Sequence, residues 1–249
     1  MAEKAKNSRL DLFLVERGFF PSREQAQRAI MAGEIRVGDA VVDKASVKVA
    51  PNAAVSVQPS LPYVGRGGIK LEGALAHFDI QVSDSIALDI GASTGGFTDC
   101  LLQQGAKKVY AIDVGHGQLA WKIRNDPRVI VREKLNARFL TQSDIPDPID
   151  LCVIDVSFIS LTLILPNAFR LVTPNGMLLA LIKPQFELEA AGVGKGGIVR
   201  DPALHEKAQR KIRDFVIEAG HTVAGIVPSR ITGTDGNQEF FICVRTRSV

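Results

Sequence analysis

The sequence predicts an α/β protein, a largely parallel sheet covered by helices on both faces, preceded by a small α+β unit. Three observations predict it. From residue 86 onward, short apolar runs alternate with helical stretches, as expected for strands buried on both faces. Before residue 60 the pattern is different, with two helical periods followed by short β-type runs. Between these regions, Pro59 to Gly68 is dense in Gly and Pro and reads as a junction. The expected boundaries are 8–60 for the first domain, 61–68 for the linker and 69–249 for the second domain.

Each element has a local reason. Ser8 is expected to cap a first helix, with Leu10, Phe13 and Leu14 at helical spacing and Gly18 as its stop. A second helix is expected from Pro21-Ser22 to Gly33, with Gln25 completing a capping box and Ala26, Ala29 and Ile30 facing inward. The run from Ile35 to Val42 has Gly38-Asp39 at its centre and reads as a tight hairpin. Val55-Ser56-Val57 is a further short strand. After the junction a helix is expected over Leu71 to Phe78. Strands are then expected over 86–90, 108–113, 129–131, 149–156 and 177–183. Helices are expected over 98–104 and about 202–219, and the last strands over 222–227 and 239–244. No helix separates those last two strands, so the final one is expected to be antiparallel.

Composition narrows the function classes. The chain has 249 residues, 46% of them hydrophobic and 23% charged, enough for a real core. Its net charge is +3, with nine Lys and Arg against seven Asp and Glu in residues 1–60. A nucleic-acid partner must therefore be recognised by the arrangement of charges rather than by their total. Cys100, Cys152 and Cys243 lack metal-ligand spacing and read as buried, reduced thiols, so no metal is expected. Met1 to Lys6 has no signal-peptide core, and no apolar run approaches the ~20 residues that span a bilayer. A cytoplasmic location is the expectation.

The chemistry centres on the loop Gly91-Ala92-Ser93-Thr94-Gly95-Gly96-Phe97, which follows an apolar strand. In a doubly wound sheet, ligands bind at the carboxyl ends of the strands, where glycines let the backbone come close. Asp113 ends the next strand, where a carboxylate can accept hydrogen bonds from both ribose hydroxyls. The spacing is not that of a dinucleotide loop. Gly192-Val193-Gly194-Lys195-Gly196-Gly197 does have that spacing, but no strand precedes it, and a loop reading is preferred there. Asp155, Lys183 and Glu239 stand at strand boundaries on the same edge, and Lys70 opens the helix after the junction. Two lysines and two carboxylates converging on one edge suit methyl transfer to a hydroxyl, which needs in-line positioning and removal of a proton. Lys183 can act as a base if burial lowers its pKa, or it can stabilise a developing alkoxide as an ammonium. Arg9, Arg23, Arg28, Arg36 and Lys44 offer an RNA-contacting set in the first unit, with Arg9 and Arg23 expected in the first turns of their helices.

The chain closely resembles the TlyA family of ribosomal-RNA 2′-O-methyltransferases, often labelled haemolysin A-like. The resemblance rests on Arg9-Leu10-Asp11, Ser22-Arg23-Glu24-Gln25-Ala26 and the turn around Gly38, which are similar to an S4-type RNA-binding domain. It rests also on Val64 to Leu71, Leu88 to Asp99, Asp155 to Ser160, Leu181 to Glu187 and Gly236 to Glu239, which are similar to an FtsJ-like methyltransferase domain. It implies a Rossmann-like S-adenosylmethionine-dependent methyltransferase fold with a small S4-like domain in front. It implies a catalytic tetrad falling on Lys70, Asp155, Lys183 and Glu239, and cofactor contacts from Gly91 to Phe97, Asp113, Val114, Asn136 and Asp155. It places Arg66 with the RNA-contacting residues. The implied activity is cytidine 2′-O-methylation of 23S rRNA, in some members of 16S rRNA too, with ribosomal subunits as partners. Three rivals remain open: a membrane-active cytolysin, which lacks a spanning segment here; a non-catalytic ribosome-binding protein; and a pseudouridine synthase, which would not need the loop at Gly91.

Overall fold

The computed structural model describes residues 7–31, 34–57, 62–189, 193–194, 196–233 and 235–247. The chain divides into two compact units, residues 1–61 and 62–249.

The first unit contains β1 (Ser8–Arg9), α1 (Leu10–Glu16), α2 (Arg23–Met31), β2 (Ile35–Val37), β3 (Ala40–Val41), β4 (Lys48–Val49) and β5 (Val55–Val57). Strand β2 is central, with β3 and β5 antiparallel on either side, while β1 pairs separately with β4. Leu10, Phe13 and Leu14 from α1 and Ala26, Ala29 and Ile30 from α2 close over Ile35 and Val49 as one core. The expected Ser8 cap does not form. Ser8 pairs with Val49 as a strand residue, and α1 has Arg9 at its N-cap with no side-chain cap. A strand of two residues is too short to leave a periodic signature. Arg9 accordingly precedes its helix, whereas Arg23 does open α2. Ser22 Oγ accepts from the Gln25 amide at 3.3 Å. The expected stop at Gly33 lies outside the described residues, as do Pro59 to Leu61 of the junction.

The second unit begins its regular structure with α3 (Arg66–His77), so the last three residues of the expected linker are helical. It continues with β6 (Ile86–Ile90), α4 (Gly96–Gln103), β7 (Lys108–Asp113), α5 (Trp121–Arg124), β8 (Val129–Glu133), β9 (Ile149–Ile154), α6 (Leu165–Leu171) and β10 (Val172–Ile182). After these come α7 (Pro184–Glu187), α8 (Pro202–Glu218), β11 (Thr222–Pro228) and β12 (Phe240–Arg245). The sheet order is β11-β12-β10-β9-β6-β7-β8. All neighbours are parallel except β12, which runs antiparallel to both β10 and β11, as the missing crossover helix required. Strand β10 starts five residues earlier than expected. Its Thr173-Pro174-Asn175-Gly176 stretch shifts the register between Val172 and Met177, and Pro174 cannot donate to a ladder. Two apolar layers cover the sheet, one including Ile154, Leu165, Ile182 and Ile212, the other Leu71, Phe97, Leu101, Val153 and Phe241. Cys100, Cys152 and Cys243 are buried and unpaired, and burial pushes the Cys100 thiol up to about 12 and the Cys243 thiol up to about 11.

Candidate active site

Strand β6 delivers the chain into the glycine-rich loop, which is held from the neighbouring strand. The amides of Gly91 and Ala92 both donate to the Ile112 carbonyl, at 2.9 and 3.0 Å. Gly91 has φ +88°, and a Cβ there would lie 2.2 Å from the Asp155 carbonyl oxygen. The close approach that demands glycine is thus made by the protein's own chain. Gly95, with φ +97°, caps α4 in the left-handed conformation. The Asp113 carboxylate accepts the Ser93 amide on one oxygen and the Gly115 amide on the other, both at 2.7 Å. Each oxygen keeps a second lone pair.

This loop floors two adjoining grooves. One is lined by Gly91, Ser93, Asp113, Val114, Asn136 and Ile159 among others. Val114 is largely exposed at its edge. Asn136 sits on the groove wall, and its side-chain oxygen accepts the Arg138 amide at 3.0 Å. The other groove is lined by Arg66, Lys70, the loop residues Ala92, Ser93, Thr94, Gly96 and Phe97, and Asp155, Lys183 and Glu239. Gly91, Ser93, Asp155, Ser157, Phe158 and Phe186 belong to both.

The four charged residues come together as two ion pairs. Lys70 lies one turn into α3, rather than at its start, and its Nζ is 2.6 Å from Glu239 Oε2. Both residues are buried. Lys183, just past β10, has its Nζ 2.6 Å from Asp155 Oδ1, a close charge contact rather than an aligned hydrogen bond, and donates to Ser157 Oγ at 2.9 Å. The antiparallel β12 makes this possible. Phe240 pairs with Ile182, so Glu239 and Lys183 leave the sheet at the same edge. Arg66 reaches across this groove to donate to the Thr232 carbonyl at 3.1 Å.

A carboxylate that sequence reasoning passed over stands beneath the site. Asp89 is fully buried on β6, accepts Thr98 Oγ1 at 2.6 Å on one oxygen and has no partner for the other. Burial, reinforced by the charge of Asp155, pushes it up to about 7 against the pull of its Thr98 hydrogen bond. Its strand reads as a plain apolar run broken by one acid, which leaves no pattern to find.

In the first unit, Asp11 is buried and gathers donors from three side chains, besides the Leu12 amide at 3.1 Å. Arg9 Nε reaches it at 3.0 Å, Arg23 Nε at 2.9 Å and Gln27 Nε2 at 2.7 Å. The Arg9 hydrogen bond, with those from Gln27 and Arg23, holds this carboxyl well below the usual carboxylate range. Arg28 and Lys44 are exposed, and Arg36 is half-buried and donates to the Asp39 carbonyl at 2.8 Å across the hairpin. Among the described residues no cluster of three metal-ligating side chains occurs, and no helix is long and apolar enough to cross a membrane.

Residues 63–246 match the FtsJ-like methyltransferase model, and residues 8–55 match the S4 domain. The chain belongs to the FtsJ-like methyltransferase family. Among its relatives, the 16S/23S rRNA (cytidine-2′-O)-methyltransferase TlyA of Mycobacterium tuberculosis is 42% identical over 98% of this chain and 92% of its own length. Hemolysin A of Brachyspira hyodysenteriae is 44% identical over 93% and 97%. A hemolysin-named structure from Streptococcus thermophilus superposes with a TM-score of 0.76 at 42% identity, covering 98% of this chain and 90% of that one. The fold extends to remote methyltransferases. The N-methyltransferase NodS of Bradyrhizobium japonicum WM9 reaches a TM-score of 0.52 at 16% identity over 74% of this FtsJ-like chain and 99% of its own.

Proposed function

We propose that this protein transfers a methyl group from S-adenosylmethionine to the 2′-hydroxyl of a cytidine in ribosomal RNA, with 23S rRNA as substrate and 16S rRNA as a second one. The observation that carries the reading is the pair of lysine–carboxylate contacts, Lys70–Glu239 and Lys183–Asp155, lining a groove that continues into the one flanked by Asp113.

The residues present fit the adenosyl cofactor. Asp113 offers free lone pairs to ribose hydroxyls, and Val114, Ala137 and Ile159 supply apolar wall for a base, with Asn136 beside them. When bound, the cofactor supplies an electrophilic methyl group on a sulfonium, so the protein needs no further activation of the donor. The protein's task is to hold a weak nucleophile in line and manage its proton. Lys183, fixed by Asp155 and Ser157, is the group that holds the acceptor oxygen: as a neutral amine it takes the hydroxyl proton, and as an ammonium it stabilises the developing alkoxide while that proton passes to water. Lys70 and Glu239 form the opposing wall, a buried pair whose charges are mutually neutralised. Arg9, Arg23, Arg28, Arg36 and Lys44 of the S4 domain, together with Arg66, engage the phosphates of the substrate. The relatives named as rRNA (cytidine-2′-O)-methyltransferases support the choice of acceptor.

The deciding experiment incubates the protein with methyl-labelled S-adenosylmethionine and, separately, 30S and 50S subunits lacking 2′-O-methylation, then maps the label. The expected result is label on a cytidine ribose of the 50S subunit. Label on neither subunit, or on a base, would overturn the proposal. Lysis of liposomes without any cofactor would instead favour a cytolysin.

A further inference from the structure

Glu187 is buried, carries an acidic charge, and touches neither groove. It lies at the end of α7, four residues after Lys183. Its Oε1 accepts the Leu161 amide at 2.7 Å. Its Oε2 accepts Ser160 Oγ at 2.5 Å and Lys211 Nζ, from α8, at 3.0 Å. Lys211 Nζ also donates to the Glu187 carbonyl at 2.8 Å. One carboxylate thus ties three segments together: the stretch after β9 that contains Asp155 and Ser157, the helix that follows Lys183, and the long helix α8.

The tethered stretch needs an anchor. Phe158, between Ser157 and Ser160, has φ +63°, a left-handed conformation that is strained for a bulky residue. Its side chain is 91% exposed, and its ring meets Phe186 at 5.1 Å between centroids. Such a conformation persists only where flanking contacts over-determine it. On one side the Asp155 amide donates to the Ile90 carbonyl at 2.9 Å. On the other side the Glu187 carboxylate holds Ser160 and Leu161. Between these two fixed points lie the Asp155 and Ser157 side chains that face Lys183.

We propose that Glu187 is a positioning residue: through Ser160 and Leu161 it fixes the 155–160 segment so that Asp155 and Ser157 hold the Lys183 ammonium in place. This rests on the proposed methyl transfer. Lys211 neutralises the buried charge and adds its own hydrogen bond to Ser160 Oγ at 3.3 Å, so it supports the tether, while Ser160 Oγ and the Leu161 amide donate to Glu187 directly.

The test compares E187Q, S160A and K211M with the wild-type protein, using labelled S-adenosylmethionine and unmodified 50S subunits. In E187Q, kcat should fall by about tenfold or more, since misplacement of a reacting group by an ångström costs up to about a hundredfold. The dissociation constant for S-adenosylmethionine should stay within about twofold, and the thermal midpoint should be nearly unchanged. S160A should lower kcat in the same sense, and so should K211M, which removes a bond to Ser160 and the counter-charge of Glu187. Wild-type kcat in both E187Q and S160A would overturn the inference. So would a loss of donor affinity in proportion to kcat. Amide exchange across 155–161 requires no catalysis and should accelerate in E187Q. Unchanged protection there would overturn the inference even for a wild-type protein that methylates no RNA, whereas that inactivity alone would count only against the proposed function.

Discussion

Asp89 shows how one side chain ties stability to the site. Its carboxyl is pushed up to about 7, above the ~3.9 of an unfolded chain. Between those values the folded state binds more protons than the unfolded one, so stability falls as pH rises from about 4 to about 7. Above that range the full cost of a buried charge is present. D89N removes the charge and keeps an acceptor for Thr98. Its thermal midpoint should therefore gain on the wild type as pH is raised from about 5 to about 8, and a gap independent of pH would refute this. Lys183 makes the complementary prediction. K183A removes the group proposed to hold the acceptor but none of the backbone around Asp113. Transfer should drop by at least about a hundredfold, while S-adenosylmethionine binding, measured calorimetrically, should change little; near-normal turnover would exclude the role. Both predictions concern residues at or beneath one site, yet only Lys183 was legible in the sequence, because a charge at a strand end is a visible break. Asp89 sits mid-strand among apolar neighbours, and its significance comes from burial.

Asn237 plays the equivalent part between elements. It is 1% exposed, accepts the Val199 amide at 2.9 Å and donates to the Gly197 carbonyl at 2.9 Å. It therefore fastens the segment ahead of α8 to the approach of β12, two residues before Glu239. N237A leaves the buried Val199 amide unpaired and should cost about 1–3 kcal/mol in chemical denaturation; a change below about 0.5 kcal/mol would mean that water replaces the side chain. The Gly-rich run over 192–197, part of which lies outside the described residues, has the dinucleotide spacing yet follows no strand. The long elements were readable from periodicity, since apolar strands and the helix over 202–218 each run for several residues. The four-residue helices α5 and α7 and the two-residue strands β1 and β4 were not, because a single turn or a single ladder pair is too brief to show a period.

For the molecule as a whole, a net charge of +3 cannot by itself carry affinity for RNA. The attraction must be local, and Arg28 and Lys44 of the S4 domain, both exposed, are proposed to supply part of it. R28E/K44E should weaken binding to ribosomal subunits and flatten its dependence on salt, by about 0.7–0.9 in log–log slope per lost phosphate contact. Binding of S-adenosylmethionine, which the second unit alone is proposed to hold, should be unaffected. Equal salt slopes for variant and wild type would remove these residues from the RNA surface.

The sequence by itself determined the α/β class, the presence of a second kind of unit ahead of residue 60, the glycine-rich turn after the first strand of the sheet, and the antiparallel final strand. These are local properties, set by periodicity, turn chemistry and the lack of a crossover helix. Tertiary structure decided the rest. It paired Lys70 with Glu239 across 169 positions of chain and Lys183 with Asp155 across a strand boundary. It set Gly91 against the Asp155 carbonyl, and it made Asp89 and Glu187 significant by burying them. The physical reason is that strand order and burial bring distant residues to one edge and strip their water, and neither is written in the spacing of residues along the chain.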